Sequence, residues 1–270
     1  MRQISLECPT VSFLKFPFVR ILLVLAFVLF GAIKSEAQLK IYYIRHAQGG
    51  HNVRADWQER EIPESIWPSW VGDHNQFTPR GKHEVIATIN RLQKYSFDFI
   101  ATSNAWRARN TILPYLNATG QSAEIWPELR EGPGMLTILS EDIPDLDIPI
   151  LNLGEPIEIP REEKDFFVLR EDSPNDYKKY PRDADDNLKV AYMKHVSLHA
   201  IDMIEKRFGG TDKSILLAGH NSSGVSLMKL LLKEEPEDKH GILSTGIWMV
   251  EQQADGTYKL KIYNNKVVGE

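Results

Sequence analysis

Residues 41–52 read IYYIRHAQGGHN: an apolar and aromatic run, then an Arg-His pair, two glycines and a second histidine. The run predicts a buried β-strand over 39–45, and its abrupt end in cationic and glycine residues is where an α/β sheet presents chemistry at its carboxyl edge. The glycines free backbone N–H groups that could point inward beside the imidazole of His46. A charged strand end facing water is the plainer alternative for this stretch taken alone.

Working outward, periodicity predicts a helix over 79–95 behind the Thr78-Pro79 cap signal, a strand at 97–102 and a helix at 105–117. A short strand near 123–126, a helix over 184–208 closed by Gly209-Gly210, a strand at 214–219 and a helix at 222–233 follow. The segments 243–250 and 257–268 read as a strand plus hairpin. Strands alternating with helices predict a three-layer α/β/α sandwich, its central sheet mainly parallel, because parallel strands need crossover connections and both faces must then be covered.

Two segments resist the scheme. Residues 53–77 hold three of the six tryptophans, Trp57, Trp67 and Trp70, and residues 132–182 hold seven of the fifteen prolines and many acids. Both are longer than ordinary connections, so they read as insertions flanking the site. The tryptophans suit packing of a loop on the core slightly better than ligand binding. We therefore expect one domain over 38–270, with insertions at 53–77 and 132–182.

The front of the chain differs from the rest. Ile21–Ile33 is uncharged and apolar, with Arg2, Lys15 and Arg20 before it and Ser35-Glu36-Ala37 after it. This is the layout of a signal peptide over 1–37, cleaved after Ala37, or of an uncleaved signal-anchor. Secretion, or a single-pass anchored form, is the expected localisation, and contact with a membrane is expected only if the segment is retained. Without residues 1–37 the chain keeps 28 basic and 35 acidic residues, a net charge of −7, which excludes nucleic acid as an expected partner. The single cysteine, Cys8, goes with the leader, so the remainder has no disulfide and no thiolate metal site.

Three predicted strand ends carry histidine or arginine: Arg45-His46 after the first, TSNAWRARNT (102–111) at the second and LLAGHNSSG (216–224) at the third. Together they resemble the histidine phosphatase superfamily, the phosphoglycerate mutase-like fold, over essentially all of 39–250. The opening signature, Arg-His-Gly with an Asn six residues after the His, is matched by Arg45-His46-Ala47 and Asn52. Its Leu-Thr-x-x-Gly helix start is similar to Phe77-Thr78-Pro79-Arg80-Gly81. The Ser-Pro-Leu-x-Arg-Ala-x-Gln-Thr segment resembles residues 103–111, which puts the pocket arginine at Arg107 rather than Arg109. Leu129-Arg130-Glu131 and Gly219-His220-Asn221 are similar to the later motifs. Two departures stand out: Gly49 replaces a hydroxyl-bearing residue and Asn221 replaces a Gly. The chain lacks the Arg-His-Gly-x-Arg-x-Pro and His-Asp patterns of the acid-phosphatase branch, so it resembles the branch with a glutamate proton donor.

The resemblance implies a phosphomonoester hydrolase that works through a phosphohistidine on His46, with Glu131 as proton donor and His220 beside the transferring oxygens; Glu128 is the alternative acid. Arg45, Asn52, Arg107 and His220 are the implied phosphate ligands. Guanidinium groups suit this role because they grip two oxygens at once and keep their proton near neutral pH. No metal and no cofactor are then needed. His46 would attack as a neutral ring, its other nitrogen held as N–H by a carbonyl, and His220 would serve as imidazolium beside the dianion. The acid must hold a proton at the start of the reaction, which we expect burial of its carboxyl group to favour.

The alternatives are a phosphoglycerate mutase-type phosphotransferase, disfavoured by the leader, and a phosphate-binding protein that does not turn over. The substrate is expected to be small and phosphorylated; the acids of 132–182 argue against a polyphosphate. His195 and His199 lie four apart on a predicted helix, where a solvated or partly buried face is favoured over a metal pair. His51 and His74 have no assigned role. Asn117 and Asn221 both fit the glycan acceptor pattern, and we expect Asn221 unmodified because a glycan there would block the pocket. The sequence carries no legible signal for oligomeric state.

Overall fold

The opening apolar run forms strand β1 (Lys40–Arg45), buried along its length except at its two ends. Its neighbours on the sheet come from distant parts of the chain: β2 (Phe99–Thr102), β3 (Ala123–Ile125), β4 (Phe167–Leu169), β5 (Ser214–Gly219), β6 (Ile247–Gln252), β7 (Tyr258–Tyr263) and β8 (Lys266–Val267). The helices are α1 (Arg54–Glu59), α2 (Pro79–Leu92), α3 (Trp106–Thr119), α4 (Asp186–Phe208) and α5 (Asn221–Leu232). This computed structural model describes residues 38–132, 138–140, 143, 155–171, 184–236 and 241–269. The signal-like segment and much of 132–182 lie outside the described residues, and Ala37–Glu270 forms one compact unit.

The eight strands make one sheet in the order β4-β3-β2-β5-β1-β6-β7-β8. The five from β4 to β1 run parallel, and β6, β7 and β8 close the other edge antiparallel, as the predicted C-terminal strand and hairpin require. Alternate residues of β1 serve opposite layers, the period of two that a pleated strand imposes. Leu39, Ile41 and Tyr43 pack with Met193 of α4 and Leu227 and Met228 of α5, while Tyr42 and Ile44 pack with Leu92 of α2 and Ile112 and Leu116 of α3. The architecture is the expected three-layer α/β/α sandwich.

Local signals set several boundaries. Thr78 caps α2 by accepting the Gly81 N–H at 2.9 Å, with Pro79 in the first turn, and Asp185 caps α4 through Leu188 N–H at 2.8 Å. Gly120, at φ 68°, ends α3 in the left-handed conformation that glycine adopts without steric cost. α2 stops at Leu92 rather than 95 because Tyr95 and Phe97 turn inward onto Tyr42, with ring centroids 4.8 and 5.3 Å away. Strand β4 lies within 132–182, so part of that segment belongs to the sheet; three residues are too few to show a period in the sequence.

What positions the site is the register at the carboxyl ends. Arg45 lies opposite Gly219, and Thr102 opposite Ala218, so β1, β5 and β2 end at one level. The next residues continue the ladder: His46 N–H donates to Gly219 O at 2.9 Å and Ser103 N–H to Ala218 O at 2.8 Å. Residues His46, Ser103 and His220 therefore leave three adjacent strands side by side.

Candidate active site

His46 is 1% exposed. Its Nδ1 lies 2.7 Å from the carbonyl oxygen of Ala47, which can only accept, so Nδ1 carries the proton and Nε2 presents a lone pair. Nε2 is buried and has no hydrogen-bond partner among the described residues. Burial, aided by the charges of Arg107 and Arg45, holds the ring well below its ordinary pKa, so it is neutral at pH 7. Ala47 is pinned in turn, its N–H donating to Thr111 Oγ1 at 2.9 Å while that hydroxyl donates to Arg107 O at 2.7 Å. This ties the strand end to the helix that carries the arginine.

His220, at the end of β5, places its ring 5.2 Å from that of His46 at 64°. Its Nε2 lies 3.0 Å from Ser103 Oγ, and its Nδ1 is buried without a hydrogen-bond partner among the described residues, 3.8 Å from Glu131 Oε2. Burial first, then the neighbouring His46 and Arg107, holds this ring well below its ordinary pKa too. The backbone beneath it is fixed by Tyr43, whose hydroxyl accepts the His220 N–H at 2.7 Å and lies 2.9 Å from His220 O and 2.8 Å from Ser223 Oγ. Ser223 Oγ also donates to Leu129 O at 3.0 Å. Gly219 is required for this approach, because a Cβ there would fall 2.2 Å from the Tyr43 hydroxyl.

The cationic groups converge on the same space. Arg107, in the first turn of α3 and nearly buried, donates through Nη2 to Glu131 Oε2 at 2.5 Å. Arg45 donates through Nη1 to Ile242 O at 2.6 Å. The Nε atoms of both arginines are buried without a partner among the described residues. Asn52 Oδ1 accepts the Gly49 N–H at 2.9 Å, which fixes its amide orientation and leaves the amide nitrogen as the end available to a ligand.

Neighbouring candidates point elsewhere. Arg109 donates to Glu163 at 2.5 Å and to Asn104 O, in a buried pair beneath α3. Glu128 is 0% exposed and gripped by Arg170 at 2.8 and 3.1 Å, with His199 Nδ1 at 3.1 Å. It therefore belongs to a buried ionic cluster beside α4, and Glu131 is the glutamate near His46 and His220.

Two expectations need correction, and one departure takes on a structural role. Glu131 is not buried: its side chain is 41% exposed and paired with Arg107, because it follows a 3₁₀ turn and sits at the rim. The glycine N–H groups do not point at His46 either. Gly49 N–H is taken by Asn52 and Gly50 N–H by Gln76 O at 2.9 Å. The glycines serve close packing, since a Cβ on Gly50 would fall 1.5 Å from Trp70 O. Finally, Asn221 is more than a departure from a pattern. Its Oδ1 accepts the Ile242 N–H at 2.7 Å, and Ile242 O is the acceptor that holds Arg45, so the asparagine clamps the segment that positions that arginine.

Tyr43, Ser103, Thr111 and the Ile242 carbonyl were not legible as site groups. Ser103 and Thr111 lie within a quoted motif, but a hydroxyl's partner is not written in its neighbours. In the 53–77 segment, Trp57 packs edge-on against Trp67 and Trp70 at 6.2 and 5.8 Å, so these rings contact one another. His74 of the same segment stacks on His51 at 4.7 Å.

The protein is thus an α/β protein whose sheet gathers, at the carboxyl edge of its parallel strands, two imidazoles held neutral and two guanidinium groups. Residues 41–136, which carry His46, Arg107 and Glu131, match the model of the histidine phosphatase superfamily, branch 1. No curated protein matches the sequence. Among solved structures, the alpha-ribazole phosphatase from Shigella flexneri is similar at 16% identity, covering 86% of this chain and 98% of its own, with a TM-score of 0.50. A mycobacterial glucosyl-3-phosphoglycerate phosphatase is similar at 16% identity, over 85% of this chain and all (100%) of its own, with a TM-score of 0.48. A mutant phosphoserine phosphatase from Entamoeba histolytica is similar at 16% identity, over 84% of this chain and 96% of its own, with a TM-score of 0.48. At these identities the likeness is one of fold. Among the described residues no helix is long and apolar enough to cross a membrane.

Proposed function

We propose that this chain hydrolyses phosphomonoesters through a phosphohistidine at His46. The observation that carries the proposal is the state of His46: Nδ1–H fixed on Ala47 O, Nε2 buried and unpartnered among the described residues, the His220 ring 5.2 Å away and the charges of Arg107 and Arg45 acting on the imidazole. Such a nitrogen is a nucleophile with its lone pair already aimed, and it needs no base to deprotonate it.

In the first step Nε2 forms a bond to phosphorus as the P–O bond to the alkoxide breaks, and Glu131 gives its proton to that oxygen. Arg45 and Arg107 supply positive charge to the equatorial oxygens, and His220, neutral in the unliganded site rather than the expected imidazolium, adds a ring N–H beside them. An arriving dianion draws Arg107 toward its own oxygens, which releases the Glu131 carboxyl group from its ion pair for proton transfer. In the second step Glu131, now ionised, takes a proton from water as the water oxygen bonds to phosphorus and the N–P bond breaks. Phosphate leaves and both residues return to their starting forms. The branch with a glutamate donor is thus the one this geometry supports, through the 3.8 Å between Glu131 Oε2 and His220 Nδ1.

We place this activity in the secretory route, on the strength of the leader-like sequence of residues 1–37. The test is turnover of p-nitrophenyl phosphate and a small panel of phosphoesters by the wild type and by His46→Ala. Loss of turnover in the variant, with an acid-labile phosphoryl adduct trapped on His46 in the wild type, is the expected result. Turnover that survives His46→Ala overturns the proposal, and phosphate transfer dependent on a bisphosphate primer would make the chain a mutase.

A further inference from the structure

We infer that His51 is a phosphate ligand of this site, seated in room left open by the absence of a side chain at residue 49. The inference rests on the phosphatase reading and names a group that neither the motifs nor the mechanism above uses.

His51 lies in the 3₁₀ turn Gly50–Val53, its N–H held by Asp73 O at 3.1 Å. Its ring stands 5.5 Å from His46 at 44°, and its other side is covered by His74, stacked at 13°. Both ring nitrogens are buried and neither has a hydrogen-bond partner among the described residues. A sealed donor and a sealed acceptor with nothing to bind are costly, and in native proteins they signal a missing partner. Gly49 explains how the ring fits. A Cβ at 49 would lie 2.8 Å from His51 Nδ1 and 2.9 Å from Cε1, and Gly49 has φ −86°, so the position requires glycine for space and not for its backbone angle.

The partner is an anion. Single ligand atoms of His46, His51 and Glu131 lie within 4.8 Å of one another, close enough to suggest a divalent metal. Against that, Arg107 and Arg45 both act on the His51 ring, and with burial as the largest cause they push its pKa down to about 3. The two guanidinium charges beside the ring oppose a divalent cation there and favour a dianion. Glu131 is moreover already engaged by Arg107. The neutral ring has one N–H to give, and a nonbridging phosphoryl oxygen beside His46 would receive it.

The experiment is calorimetric titration of the full chain with inorganic phosphate, alongside p-nitrophenyl phosphate kinetics. The variants are His51→Ala, His51→Gln, Gly49→Ser and the double variant Gly49→Ser/His51→Ala. We expect His51→Ala to weaken phosphate binding about tenfold, the worth of one hydrogen bond to a charged group, and His51→Gln to retain more of it. Gly49→Ser alone should weaken binding by displacing the ring, yet strengthen it in the His51→Ala background, where a hydroxyl enters vacated room. Phosphate affinity within twofold of wild type in both His51 variants overturns the inference while leaving the phosphatase reading intact. Phosphate binding that depends on His51 in a chain that hydrolyses nothing sinks that reading and keeps this one. Stoichiometric Zn²⁺ binding lost in His51→Ala, with phosphate binding unchanged, overturns the inference in favour of a metal.

Discussion

Replacing Tyr43 by Phe removes one oxygen from the centre of the molecule and leaves the ring, which stacks on Trp248 at 5.2 Å and 6°, undisturbed. That oxygen accepts from His220 N–H and touches His220 O and Ser223 Oγ, and Ser223 in turn reaches Leu129 O, two residues before Glu131. Without it the His220 N–H keeps only Ser223 Oγ at 3.3 Å, a longer bond to a hydroxyl that already serves Leu129. Leaving buried backbone groups under-satisfied costs about 1–3 kcal/mol. For a fold of this size each kcal/mol shifts the melting temperature by roughly 2–4 °C, so a drop of about 2–12 °C is expected in differential scanning calorimetry. Because the hydroxyl fixes both the histidine and the turn before the glutamate, kcat for p-nitrophenyl phosphate should fall about tenfold with little change in KM. Tyr42→Phe, on the opposite sheet face, is the control and should move stability by less than about 0.5 kcal/mol. A Tyr43→Phe protein that melts within 1 °C of wild type, roughly a few tenths of a kcal/mol, and keeps its kcat would refute the anchoring role.

The two arginines of α3 should separate cleanly. Arg107→Lys, which loses the planar fork, is expected to weaken phosphate binding about tenfold with little loss of stability. Arg109→Ala strands Glu163, whose side chain is only 5% exposed, and should cost about 3–5 kcal/mol in urea unfolding. Glu131→Gln should slow hydrolysis of esters with poor leaving groups far more than of p-nitrophenyl phosphate, whose phenolate departs unaided; equal effects on both would reject Glu131 as the acid. Stability should also fall with acid. His46 and His220 are held well below 6.5 when folded, so below about pH 6.5 the unfolded chain binds protons that the folded chain refuses, and the two rings give a slope of at most about 3 kcal/mol per pH unit. Urea midpoints that stay flat from pH 7 to 5 would contradict the burial of these rings.

Much of this architecture was legible in the sequence because it is encoded locally. The period of two in β1, the Thr78-Pro79 cap and the closing glycines each state a preference that neighbouring residues suffice to express. His46 and His220 could be named because each stands just after a predicted strand end, and a parallel sheet brings such ends to one edge; Arg107 was named through the motif that residues 103–111 resemble. Strand β4 was missed because three residues show no period, and α1 because its six residues carry no buried stripe.

Where two like residues lie close together, local pattern could not choose between them and only the family resemblance ranked them. Glu128 and Glu131, or Arg107 and Arg109, differ by two or three positions, and only the packing of α4 and residues 161–170 against them decides which pair is locked inside and which faces His46. The same holds for Gly49 and His51, Tyr43 and His220, or Asn221 and Ile242. By itself the sequence determined which segments are buried and which strand ends carry charge, because those follow from alternation along the chain. Which side chains touch was decided by the tertiary structure, since a contact such as Tyr43 to His220 spans 177 residues and depends on the register of strands that no local pattern sets.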